Sequence, residues 1–97
     1  MTRTEHLLAI LIEECGEVSQ GTTRALRFGL RDIGPGQEST NAERIMAEYA
    51  DLLAVVEMLL EDRSLPKHVE IGAMINAKKA KVEKFLEYSS KVGTLQP

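Results

Sequence analysis

The sequence predicts an all-α protein, a bundle of three to four helices completed by homo-oligomerisation. Three observations lead there. Apolar residues recur at helical spacing through three long segments. The only long stretch without that periodicity runs from about Gly29 to Thr40, where Gly34-Pro35-Gly36 breaks any regular element. The chain has 97 residues, 43% of them apolar and 28% charged, which fits one small soluble domain. At that size the ratio of surface to volume is poor, and association with further copies is a direct way to bury more apolar surface. Residues 1–90 are read as one helical domain and 91–97 as a loose tail.

The first helix is capped by Thr2 or Thr4 and runs to about Arg27. With roughly 100° per residue, Leu7, Leu8, Leu11, Cys15, Val18 and Leu26 form its apolar arc, widened by Ile10 and Ile12. Cys15 is the one cysteine, so it has no internal disulfide partner, and its place on the arc reads as a packed, inert thiol. Gly16 and Gly21 lie inside the helix, each costing about 1 kcal/mol relative to Ala or serving a close approach. Arg24 and Arg27 close the helix and Arg31 follows. They read either as a solvated basic end, which suits the helix dipole, or as side chains turned toward an acidic cluster to help hold a polyanion.

The Gly29–Thr40 loop is long enough to serve as a lid or a partner surface. Among the N-cap choices Ser39, Thr40 and Asn41, Thr40 with Glu43 fits the capping-box spacing. The second helix runs from about Ala42 to Asp62, with Ile45, Tyr49, Leu52, Leu53, Val56, Leu59 and Leu60 on its arc and Val55 at the border. Ser64 and Pro66 are typical start residues for a third helix, from about Pro66 to Ser89, which Gly72 is able to split. Its stripe is Val69, Ile71, Met74, Ile75, Val82, Phe85 and Leu86, interrupted by Lys78 and Lys79. Those lysines read either as snorkelling side chains or as phosphate contacts.

The charged residues that break the apolar arcs carry the functional signal. Glu14 and Glu17 are three apart on the first helix, as are Glu48 and Asp51 on the second, a spacing that puts each pair on neighbouring turns of one face. On the wheel Glu14 falls inside its apolar sector and Glu17 at the edge; Glu48 falls inside and Asp51 at the edge. A lone ionised carboxylate facing a core costs several kcal/mol or becomes neutral. Glu14 and Glu48 therefore call for a positive partner, either a basic side chain of the chain itself or a metal ion. Two such helices packed face to face would present four carboxylates to one point, and a hard cation such as Mg²⁺ takes oxygen ligands.

Other classes find little support. A net charge of −3 does not favour nucleic acid. No apolar run approaches the ~20 residues of a membrane span. The start of the chain carries Glu5, Glu13 and Glu14 where a signal peptide needs an unbroken apolar stretch. With its single cysteine, the chain is expected in the cytoplasm. His6 and His68 stand outside any metal spacing and read as surface or helix-end residues. There is no Gly-rich phosphate loop, nucleophile elbow or Cys/His zinc spacing.

Glu13-Glu14-x-x-Glu17 followed by Glu48-x-x-Asp51 resembles the EExxE…ExxD signature of the MazG-like all-α nucleotide pyrophosphohydrolases. The resemblance covers the first two helices, and is weaker over the third, where Asn76-Ala77-Lys78-Lys79 is similar to a phosphate-contacting segment. The gap between the two acidic motifs is longer than usual, with the extra length in the Gly29–Thr40 loop. The resemblance implies a helical bundle assembled as a homodimer or homotetramer. It implies hydrolysis of a nucleoside triphosphate to the monophosphate and pyrophosphate, with Mg²⁺ (or Mn²⁺) as cofactor. It further implies Glu14, Glu17, Glu48 and Asp51 as metal ligands, Glu13 as a secondary acidic residue orienting water or a second ion, and Asn76, Lys78 and Lys79 as phosphate contacts. Two alternatives stand beside it: a related pyrophosphatase acting on phosphoribosyl-ATP, and a non-catalytic helical interaction module whose carboxylates form salt bridges.

Overall fold

The computed structural model describes residues 1–67 and 70–97. Among these the chain forms three helices, α1 (Arg3–Phe28), α2 (Asn41–Glu61) and α3 (Ile71–Lys91), and no strand. The all-α expectation holds. The chain divides into two compact units, Met1–Lys67 and His68–Pro97.

The first unit is a helical hairpin. Thr2 caps α1: its hydroxyl accepts from the Glu5 amide at 3.1 Å, while the Glu5 carboxylate accepts from the Thr2 amide at 3.0 Å. The same reciprocal box opens α2, with Thr40 and Glu43 in the two roles, as the Thr40–Glu43 spacing predicts. These backbone bonds favour the ionised acids and hold the carboxyls of Glu5 and Glu43 below their ordinary value. α2 ends in a Schellman turn. Arg63 adopts φ 62°, and the amides of Arg63 and Ser64 return to the carbonyls of Leu60 and Leu59.

Contacts far apart in sequence show that the helices run antiparallel: Arg3 pairs with Asp62 at 2.8 Å near one end, and Arg24 with Glu48 at 3.5 Å toward the other. Among the covered positions a heptad-like register runs through Thr4, Leu7, Leu11, Glu14, Val18, Gly21 and Ala25 on α1 and through Asn41, Ile45, Glu48, Leu52, Val55 and Leu59 on α2. Arg24, Ala42, Arg44, Val56 and Leu60 are half-buried beside it. Alternating steps of three and four keep one narrow seam facing one partner. Its apolar end is a cluster of Leu7, Val55 and Leu59, with Leu11 and Leu65 packed on it, and Leu59 is 0% exposed.

This seam is narrower than the arcs drawn on the wheel. Cys15 is exposed rather than packed, and Tyr49, expected on the buried arc, is 46% exposed. Leu8, Ile10, Ile12, Leu26 and Leu53 are exposed too. One neighbouring helix covers only about a two-in-seven stripe, and the flanks of each arc stay open.

The loop between the helices is tied at its base by Asn41, which is 1% exposed. Its side-chain amide donates to the Gly29 carbonyl at 2.9 Å, its backbone amide to Asp32 at 2.9 Å, and the Ala42 amide to Leu30 at 2.9 Å.

In the second unit α3 starts later than Ser64 and Pro66 suggest. Pro66 and Lys67 are not helical, His68 and Val69 lie outside the described residues, and Glu70 precedes the helix without a side-chain cap. Ser64 is used elsewhere, for its amide closes α2 and its hydroxyl meets Thr4 at 3.1 Å. The helix passes through Gly72 unbroken to Lys91, and Gly93 beyond it, with φ 84°, lets the amides of Gly93 and Thr94 return to Ser90 and Ser89. Its expected stripe, apart from Val69, is exposed.

Candidate functional site

The middle of the hairpin seam is where polar groups replace the apolar ones. Glu14 is half-buried at its seam position, and Glu13 and Glu17 beside it on α1 are exposed. From α2 come half-buried Glu48 and exposed Asp51. This is the division between inside and edge that the wheel predicts. The carboxyl of Glu14 is raised above its ordinary 4.5, first because the seam strips water from it, then because Asp51, Glu13, Glu17 and Glu48 add negative charge around it. The other four acidic residues of the two motifs thus all bear on Glu14.

Glu48 is seated by two residues of α1. Its side chain is 15% exposed, and Oε1 accepts from Arg24 Nη2 at 3.5 Å. The rest of the carboxylate lies against Gly21: a Cβ there would sit 2.9 Å from Glu48 Cδ and overlap Oε2 outright. Gly21 therefore has a definite use, since any side chain would push the carboxylate off the helix. Gly16 has none of this kind, because a Cβ there would meet nothing within 4 Å. Glu48 Oε2 is buried and has no hydrogen-bond partner among the described residues, and the same is true of Arg24 Nε.

The donor chemistry fits a hard divalent cation. Glu14, Glu17, Glu48 and Asp51 offer oxygen alone, Glu48 Oε2 is buried without a partner, and Glu14 sits in uncompensated negative charge. Among the described residues no three His, Cys, Asp or Glu side chains stand gathered as a ligand group. The fit is thus one of donor type alone.

Of the three arginines considered from sequence, Arg24 is the one that meets the acidic motifs. Arg27 instead stacks over Phe28, 4.8 Å from the ring centre, and Arg31 is exposed in the loop. Asn76, Lys78 and Lys79 are exposed on α3, within the second unit. His6 is exposed on the first turn of α1, as expected, while His68 lies outside the described residues. From sequence Asn41 is only an N-cap choice and Gly21 stands between cost and close approach; the register, in which Asn41 is four before Ile45 and Gly21 four before Ala25, is the signal that places both in the seam. No described helix is long and apolar enough to cross a membrane. Comparison of the chain with protein-family models, curated proteins and solved structures gives no match.

Proposed function

We propose that the protein is a Mg²⁺-dependent nucleoside triphosphate pyrophosphohydrolase, releasing pyrophosphate and a nucleoside monophosphate. The observation that carries this reading is the pair Glu14 and Glu48. Both are acids in an apolar seam, one with a raised carboxyl and the other with a buried, unpartnered oxygen. Residues that serve only to fill a seam are mostly apolar. The reading assigns the cation to Glu14, Glu17, Glu48 and Asp51, the orientation of water or a second ion to Glu13, and phosphate contact, through the MazG-like resemblance, to Asn76, Lys78 and Lys79. A Mg²⁺ held by these carboxylates would supply neutralisation of phosphate charge and a water of lowered pKa, and a neighbouring carboxylate would take the proton. The open flanks at Leu8, Ile12, Leu26, Tyr49 and Leu53 support assembly into a homodimer or homotetramer. The single cysteine supports a cytoplasmic setting.

The Arg24–Glu48 pair favours a second reading, a helical interaction module with its carboxylates in salt bridges. Thermal melting of the wild type and Glu48→Gln, each with and without Mg²⁺ plus nucleotide, separates the two. A hydrolase is stabilised by the ligands, and Glu48→Gln removes that response while the fold stays as stable or becomes more so. In the scaffold reading melting is indifferent to Mg²⁺, and Glu48→Gln destabilises by stranding Arg24.

A further inference from the structure

The Arg24–Glu48 contact is incomplete in a specific way. A carboxylate and a guanidinium that pair closely make bonds of about 2.7–2.9 Å, often two in parallel. Here there is one contact at 3.5 Å, and each partner keeps a buried atom unsatisfied, Oε2 on Glu48 and Nε on Arg24. Exchanging such a contact for another loses little.

Arg24 also has somewhere to go. It lies at the rim of the seam, its side chain 29% exposed, and lines a surface groove of about 380 Å³ with Ser19, Gln20, Thr23, Arg27 and Phe28. Arg27 pairs with no carboxylate among the described residues. Two guanidiniums beside a threonine hydroxyl and a glutamine amide form a donor set suited to phosphate.

We propose that Arg24 is the exchangeable counter-ion of the acidic site: it holds Glu48 until a divalent cation takes that carboxylate, and the freed guanidinium then serves, with Arg27, the phosphates of the substrate. This rests on the cation site proposed above. It makes cation and phosphate binding cooperative through one side chain, since a ligand that removes Arg24 from Glu48 prepares the groove for the other.

The test is calorimetric titration of the full chain with Mn²⁺ alone, and with inorganic phosphate in the presence of Mg²⁺. The proteins are the wild type, Glu48→Gln, Arg24→Gln and Arg27→Gln. Arg24→Gln removes the competitor and is expected to tighten Mn²⁺ about fivefold or more, the low end of ordinary coupling, while weakening phosphate. Arg27→Gln removes the same charge without touching Glu48, so it weakens phosphate and leaves Mn²⁺ within about twofold. Should Arg24→Gln not fold, Arg24→Ala replaces it, alanine being the best helix former. Mn²⁺ binding that is lost in Glu48→Gln but unchanged or weaker in the Arg24 variant overturns the exchange and leaves the cation site standing. Mn²⁺ binding that is absent, or indifferent to Glu48→Gln, removes the cation site and the exchange with it.

Discussion

The two halves of the hairpin seam are built on one register and serve different ends. Toward the chain start and the end of α2, Leu7, Leu11, Val55, Leu59 and Leu65 fill it with hydrocarbon. Toward the loop Glu14, Gly21 and Glu48 stand at the same positions among Val18, Ala25, Ile45 and Leu52, with Arg24 at the side and Asn41 at the base. The first half supplies stability in the ordinary way, by removing apolar surface from water. The second crowds acids together, leaves buried polar atoms without partners and places a glycine in mid-helix. These are the features that the proposed function would account for.

The comparison breaks most visibly at Leu59. Leu59→Ala opens a cavity in the apolar half and is expected to cost about 2–5 kcal/mol in urea unfolding. A loss well under 1 kcal/mol would mean that this half is not the core.

The two glycines of α1 sharpen the contrast. Gly16 faces open space, so Gly16→Ala is expected to stabilise by about 1 kcal/mol through helix propensity alone. Gly21→Ala has the same propensity gain but must displace the Glu48 carboxylate. It is expected to gain less, and to lose any stabilisation by Mg²⁺ and nucleotide. Equal behaviour of the two variants would deny Gly21 its role as a seat.

The smallest effect concerns Glu14 and pH. A raised carboxyl binds its proton more tightly in the fold than in the unfolded chain. Its stabilising contribution is full below the ordinary value of 4.5 and is lost as pH rises through the higher folded value. Glu14→Gln stays neutral throughout. Its melting temperature is expected to exceed that of the wild type near pH 7 and to match it near about pH 3. A variant that is less stable at neutral pH would show that the Glu14 charge is compensated after all.

Much of this arrangement was legible in the sequence, and the rest was hidden for physical reasons. Thr40 with Glu43 announces a helix start because the capping bonds are local. Glu14 and Glu48 could be placed inside, and Glu17 and Asp51 at the edge, because side-chain direction follows from helix geometry. A wheel does not tell how many neighbours cover an arc, and so Cys15 and Tyr49 were set inside when one partner helix leaves them open. Ser64 and Pro66 carry start signals, yet Ser64 is taken up in closing α2. The seat of Glu48 on Gly21 and its contact with Arg24 join residues more than twenty apart, which spacing on one helix does not resolve.

Chemistry on a triphosphate, as the purpose of the polar half of the seam, is tested by incubating the protein with a panel of ribo- and deoxynucleoside triphosphates, with and without Mg²⁺, and measuring pyrophosphate and orthophosphate separately. The expected result is pyrophosphate, released only with Mg²⁺ and absent in Glu48→Gln. No pyrophosphate from any nucleotide, in a folded protein whose melting ignores Mg²⁺, would contradict it and leave a helical scaffold with Arg24–Glu48 as a structural pair.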